Sequence, residues 1–274
     1  MNAPEVVITG VGLVTPLGTG VEANWLGVKA PRTGIEHYPR IGLPNCFQYF
    51  GKVRELPLPV PSSRSLAAQM KFLSRGAQLG FSAACEATEG AGVDPRAIPP
   101  GRRALYIASG DYGKAGFEFL YPATREATEG KWDAVDYEAL NQATLTCVNP
   151  FFLLESIANN LFSFLSAFYD FKGPNTSLAS LSPCGNQALD LAYRSIQQGR
   201  SDVALAVGYG HWITEIPIFD LEGLGLLSTC RAGAASFRPF DQSRDGFIPG
   251  EGGAALFLEN AELAGRRGAK VIAT

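Results

Sequence analysis

Short apolar, β-branched runs alternate along this chain with stretches whose apolar residues recur every three or four positions. Val6-Val7-Ile8-Thr9, followed by Gly10-Val11-Gly12, predicts a buried strand that ends in a glycine turn. Ala104–Ala108, Thr176–Leu181, Asp202–Val207 and Gly253–Glu259 predict further strands, and Lys270–Thr274 begins another. Helices are predicted over Val21–Lys29, Ser65–Gly90, Phe152–Tyr169, Pro183–Gln198 and Ala261–Arg267. In Ser65–Gly90 the periodic positions are Leu66, Met70, Leu73, Ala77 and Phe81; in Pro183–Gln198 they are Ala188, Leu191, Ala192 and Ile196. Asp190 and Arg194 form an i,i+4 pair on the polar side of the latter helix, and Gly199 is its C-terminal cap.

Two stretches break the alternation. Gly42–Ser63 reads as a loop interrupted by Pro57, Pro59 and Pro61. Residues 111–149 are poorly periodic. Long featureless loops are uncommon in compact domains, so this segment is expected to be a cap or interface insertion within one domain covering 1–274. Strands interleaved with helices predict an α/β layered fold, a βαβαβ-type mixed sheet flanked by helices.

Composition narrows the function. The 274 residues are 46% hydrophobic and 18% charged, which suits a globular protein with a substantial core. A formal charge of −3 gives no electrostatic reason for a nucleic-acid or anionic-membrane partner. The most apolar segment, Phe151–Phe171, is interrupted by Glu155, Asn159, Asn160 and Asp170, so a buried helix is expected there, not a membrane span. Cys46, Cys85, Cys147, Cys184 and Cys230 are far apart and odd in number. Neither a disulfide framework nor a zinc site follows, and a reduced, cytoplasmic protein without a signal peptide is expected.

Candidate chemistry is sparse. Gly10-Val11-Gly12 lacks the third glycine of a dinucleotide fingerprint, since Thr15 stands there. His37 and His211 are too isolated for a metal site or a triad, and His211 is expected to be a solvent-facing loop residue. The strand-to-helix junction Leu181-Ser182-Pro183-Cys184-Gly185 is the informative place. Unpaired N–H groups at a helix start favour a thiolate or an oxyanion. Serine followed by proline is equally an ordinary helix start, so local sequence leaves both readings open.

Several stretches together resemble the β-ketoacyl-(acyl-carrier-protein) synthases. Val6–Gly12 with Pro16-Leu17-Gly18 is similar to the family's opening strand and turn. Asn149-Pro150-Phe151-Phe152 and Lys172-Gly173-Pro174 are similar to the segment before its nucleophile strand. The most specific match is Leu227-Ser228, then Arg238-Pro239-Phe240-Asp241, then Arg244-Asp245-Gly246-Phe247, then Gly250-Glu251-Gly252. The resemblance covers the chain and implies the N-terminal half of a thiolase-like layered sandwich. It implies no cofactor or metal; phosphopantetheine would enter only as the arm of a carrier protein.

The departures shape the functional expectation. Counting forward from Gly173-Pro174 and back from Gly199 places Ser182 at the family's nucleophile position. Cys184 is two residues late, in the place of a small residue on the first helical turn, and is the weaker nucleophile candidate. A serine hydroxyl there needs a nearby base. The family's two catalytic histidines belong to its C-terminal half, and neither His37 nor His211 sits in a matching motif. Asp111 falls where the acyl pocket is usually apolar, a costly place for a carboxylate unless it is paired. Asp111, Phe152, Thr176 and Leu181 are the implied pocket and interface positions.

The resemblance thus implies a fatty-acid or type II polyketide (polyene-like) synthase subunit that does not condense. It would be a chain-length-factor-type partner of a catalytic ketosynthase, in a heterodimer served by an acyl carrier protein. Family dimers pair the strand before the nucleophile, here Thr176–Leu181, and residues 111–149 would lie against the partner. A half-fold is also expected to expose the large apolar faces its other half would cover. The alternatives are a Ser182-dependent acyltransferase and one half of a truncated or split 3-oxoacyl synthase. The end at Gly268–Thr274, inside a predicted strand, suits the last.

Overall fold

The computed structural model describes residues 4–30, 33–111, 117–148, 150–152, 154, 159–180 and 184–274. A six-stranded mixed sheet in the order β2-β1-β8-β7-β5-β6 forms its centre. The strands are β1 (Val6–Thr15), β2 (Gly18–Thr19), β5 (Arg103–Ser109), β6 (Asn175–Ala179), β7 (Val203–His211) and β8 (Glu251–Asn260). β5 pairs parallel with both β6 and β7, whereas β8 is antiparallel to β7 and β1. Helix α3 (Arg75–Ala91) covers one face with α6 (Asn160–Tyr169), and α7 (Cys184–Gln197) covers the other. α1 (Val21–Lys29), α2 (Arg64–Gln69), α8 (Glu215–Gly223) and α9 (Ala261–Arg266) lie around this centre.

The pleat of β7 sorts the core. Val203, Leu205, Val207 and Tyr209 pack against α3 residues such as Leu79, Phe81 and Ala83. Ala204 and Ala206 pack with Ala188, Ala192 and Ile196 of α7. Phe81 makes an edge-to-face contact with Phe164 of α6, ring centroids 5.0 Å apart. The Asp190–Arg194 pair forms as expected, at 2.8 Å.

Several elements differ from the sequence expectation for identifiable reasons. β1 does not stop at a glycine turn but runs on to Thr15. A Cβ on Gly10 would lie 1.8 Å from Ala87 O, and one on Gly12 1.9 Å from Ala83 O. These glycines let α3 rest directly on the strand. The helix expected over Ser65–Gly90 is two helices. Leu73 is extended, and Ser74 caps α3 by accepting from Ala77 N. The apolar periodicity crosses the break because Leu66, Met70 and Leu73 all meet the same core.

The stretch expected to be pure loop contains β4 (Tyr49–Gly51), paired with β3 (Ile35–His37). Residues 111–149 contain two helices, α4 (Phe117–Ala127) and α5 (Tyr137–Cys147). The helix expected from Phe152 is described from Asn160 onward. Lys270–Thr274 touches β1 through Ile8 N–Ala273 O and Ile272 N–Ile8 O, both 2.8 Å, without forming the expected strand.

The outer face of α7 is mostly polar: Asn186, Gln187, Asp190 and Arg194 are exposed there beside Tyr193. Other large exposed apolar side chains include Trp25 and Val28 on α1, Phe219 on α8, and Phe237 and Phe240 beyond it.

Candidate functional site

The α7 N-terminus meets the ends of β5 and β7 at a cleft of about 480 Å³. Gly110, Gly185, Gly208, Gly210, Gly250, Gly252 and Gly253 line it together with Leu13, Thr15, Ala108, Cys184, Tyr209, Trp212 and Ala254. Glycine dominates because backbones meet here. A Cβ on Gly208 would stand 3.8 Å from Gly185 Cα, so the first turn of α7 lies close over β7. Trp212, just past β7, donates its indole N–H to Gly110 O at 2.6 Å.

Cys184 is buried in the first turn of α7. Its thiol donates to Ser180 O at 3.2 Å, and Ser109 O lies 3.8 Å away. It packs in the same apolar cluster as Ala108 and Ala188, as a small core residue does. Leu181 and Ser182 lie outside the described residues. Thr176 lies on β6, which among the described residues has only β5 as a strand neighbour and is an edge strand of the sheet. Phe152 is half-buried beside the helical segment before α6.

The opposite face of the sheet carries a charged cluster that sequence reasoning missed. His211 is not a solvent-facing loop residue: it ends β7 with its side chain 11% exposed. Its Nδ1 lies 2.6 Å from Glu251 Oε2. The fully buried Glu251 carboxylate also accepts from Arg75 Nε (3.2 Å), Arg75 Nη2 (3.0 Å) and Val53 N (2.9 Å). Burial pushes its pKa up, but the His211 and Arg75 hydrogen bonds override this and hold it at about 2.

Asp111 belongs to this cluster and not to the cleft. Its Oδ1 accepts from His211 N at 2.5 Å, and Ser74 Oγ lies 3.5 Å from Oδ2. A Cβ on Gly76 would sit 2.2 Å from Oδ2, so the carboxylate is seated on the first turn of α3. Its desolvation is compensated there, and it gives no argument against an apolar acyl tunnel. The Glu251 signal was visible in the Gly250-Glu251-Gly252 motif; its partners, 40 to 198 residues distant in sequence, were not.

His37 is exposed on β3 and stacked on Tyr49, centroids 4.8 Å apart. Among the described residues, no group of His, Cys, Asp and Glu could hold a metal ion. No helix among them is long and apolar enough to cross a membrane.

Residues 3–264 match the family model described as the β-ketoacyl synthase N-terminal domain. The chain belongs to the β-ketoacyl synthase family. It is 29% identical to the 3-oxoacyl-[acyl-carrier-protein] synthase 2 of Coxiella burnetii, covering all of this chain and 62% of that protein. The corresponding protein of Vibrio cholerae is 28% identical with the same coverage. The chain therefore spans about three-fifths of the length of these synthases.

Solved β-ketoacyl synthase structures share the thiolase-like fold. A Burkholderia phymatum β-ketoacyl synthase aligns with TM-score 0.76 at 24% identity, covering 98% of this chain and 62% of that one. A type II polyketide ketosynthase in complex with its acyl-carrier protein, bound to the hexaketide, aligns at 0.75 and 24%, covering 98% and 61%. The ishigamide ketosynthase/chain length factor aligns at 0.75 and 23%, with the same coverage. The layered half-sandwich expected from the sequence is this fold. Within the distinctive block from Leu227 to Gly252, Asp245 ties two turns together by accepting from Ser228 Oγ (2.7 Å), Thr229 N (3.1 Å) and Thr229 Oγ1 (2.5 Å).

Proposed function

We propose that this chain is a non-condensing, chain-length-factor-type subunit of a fatty-acid or type II polyketide synthase, working beside a catalytic ketosynthase and an acyl carrier protein. The observation that carries this reading is the seat of Cys184 in the first turn of α7, where its thiol donates to Ser180 O and packs in the core as a small residue does. The sequence register, which puts serine in place of the family's nucleophile, supports the same conclusion.

The heterodimer would form along β6. Its residues Asn175-Thr176-Ser177-Leu178-Ala179 carry no charge or proline, the usual devices that block edge pairing. The α4–α5 segment would lie against the partner as an interface insertion.

Two measurements test the reading. The chain is co-expressed with a full-length ketosynthase from the same source and purified through a tag on one subunit. It is then incubated with acyl thioesters and weighed intact. Co-purification without an acyl adduct on this chain is the expected result. An adduct lost in Ser182→Ala would establish an acyltransferase instead. Condensing activity restored by a second polypeptide carrying the rest of the synthase length would establish a split enzyme.

A further inference from the structure

The turn between α4 and α5 holds an aromatic side chain at a cost to the backbone. Glu129, Gly130 and Trp132 have φ of 51°, 72° and 62°. For a bulky residue such as Trp132 this left-handed conformation is unfavourable, whereas glycine adopts it freely. Trp132 is nevertheless 51% exposed, with its indole stacked on the Tyr121 ring, centroids 5.3 Å apart. Val135 and Tyr137, exposed as well, follow it.

Tyr121 also lines a groove of about 640 Å³, with Pro122, Arg125, Glu126, Glu129 and Cys147. The Cys147 thiol donates to Glu126 Oε2 at 3.6 Å, and Lys131 Nζ lies 2.6 Å from Glu129 Oε2. A thiol does not neutralise a carboxylate, and an ion pair as exposed as Glu129–Lys131 neutralises one weakly. Residues 125–138 carry five carboxylates against Arg125 and Lys131, an excess equal to the formal charge of the whole chain, −3.

We propose that this groove and the Tyr121–Trp132 stack form a docking surface for an arginine-bearing segment of a partner protein. The inference rests on the reading of the chain as a subunit beside a ketosynthase, and it names the chemistry of that partner's face. A guanidinium is planar and always charged. It stacks on an indole or phenol ring while its fork of N–H groups meets a carboxylate. A lysine ammonium lacks the plane, and an acidic segment is repelled by the local excess of negative charge.

The test uses the full chain labelled with 5-fluorotryptophan and a capped Leu-Arg-Leu peptide, with citrulline in place of arginine as the neutral control. The chain has three tryptophans, and the resonance lost in Trp132→Phe assigns the Trp132 signal. The arginine peptide should move that resonance saturably and leave those of Trp25 and Trp212 in place; the citrulline peptide should move none. Glu126→Gln/Glu129→Gln should weaken peptide binding about threefold, and raised salt should weaken it too. Trp132→Gly should also weaken it about threefold, while its Tm holds or rises because glycine relieves the positive φ. The same variant should co-purify less with the ketosynthase.

An unmoved Trp132 resonance, an equal response to the citrulline peptide, equal movement of Trp25, or a Trp132→Gly chain that loses Tm but keeps its peptide affinity would each overturn the inference. Peptide binding at Trp132 by a chain that fails to co-purify would instead overturn the ketosynthase reading and leave the docking chemistry standing.

Discussion

Glu251→Gln isolates the buried charge cluster that joins β7, β8 and α3. The substitution keeps the shape of the side chain but removes the charge that Arg75 and His211 face. Removing one partner of a buried ion pair costs about 3–5 kcal/mol. Arg75 is 30% exposed and can recover some hydration, which points to the lower end, about 3 kcal/mol. Linkage gives a second route to the magnitude. A pKa lowered from 4.5 to about 2 corresponds to about 3 kcal/mol at neutral pH.

The sign follows from the direction of the shift. A depressed carboxylate contributes stability above its unfolded pKa and loses it as pH falls towards the folded value, here from about 4.5 towards 2. Urea denaturation of wild type and Glu251→Gln at pH 7 should differ by about 3 kcal/mol, a Tm difference of roughly 6 °C for a chain of this size. At pH 4 the gap should have closed by about 1 kcal/mol. A gap below 1 kcal/mol at pH 7, or one constant between pH 7 and pH 4, would refute the assignment of Glu251 as the ionised centre of the cluster.

Gly12→Ala places a methyl 1.9 Å from Ala83 O and should destabilise by about 3 kcal/mol in thermal unfolding, whereas Gly185→Ala meets nothing within 4 Å and should leave Tm unchanged or slightly raised. Equal Tm values for the two variants would contradict the packing of α3 on β1. Among the thiols, Cys147 is exposed while burial pushes Cys85 up to about 12, so brief iodoacetamide treatment at pH 8 should label Cys147 and spare Cys85; peptide mass mapping reads the order, and labelled Cys85 in the folded protein would count against it. Ser177→Lys puts a charge on the β6 edge and should abolish co-purification with the ketosynthase while shifting Tm by less than 2 °C. Undiminished co-purification would move the partner interface elsewhere.

Much of the fold was legible in the chain. β-branched runs gave the sheet, three- and four-residue spacing gave the helices over it, and the block from Leu227 to Gly252 gave the family. Boundaries failed where a local signal had a non-local cause. Gly10 and Gly12 look like a turn, yet they are glycines because α3 presses on the strand. Ser65–Gly90 looks continuous, yet the Ser74 cap breaks it without disturbing the apolar stripe.

The candidate site was legible only in part. Sequence placed the α7 N-terminus at its centre, because a strand-to-helix junction exposes N–H groups wherever it occurs. It could not assign His211, whose role depends on strand pairing that brings β7 against β8 and α3. It also read Asp111 as an intruder in an acyl pocket, because which face a residue at a strand end takes depends on the pleat and on what packs there. The sequence by itself determined the elements, the family and the unusual residues at the junction, since these depend on local spacing and residue type. Tertiary structure alone decided which side of the sheet each polar group occupies. Partners 37 to 198 residues apart meet only after the chain has folded.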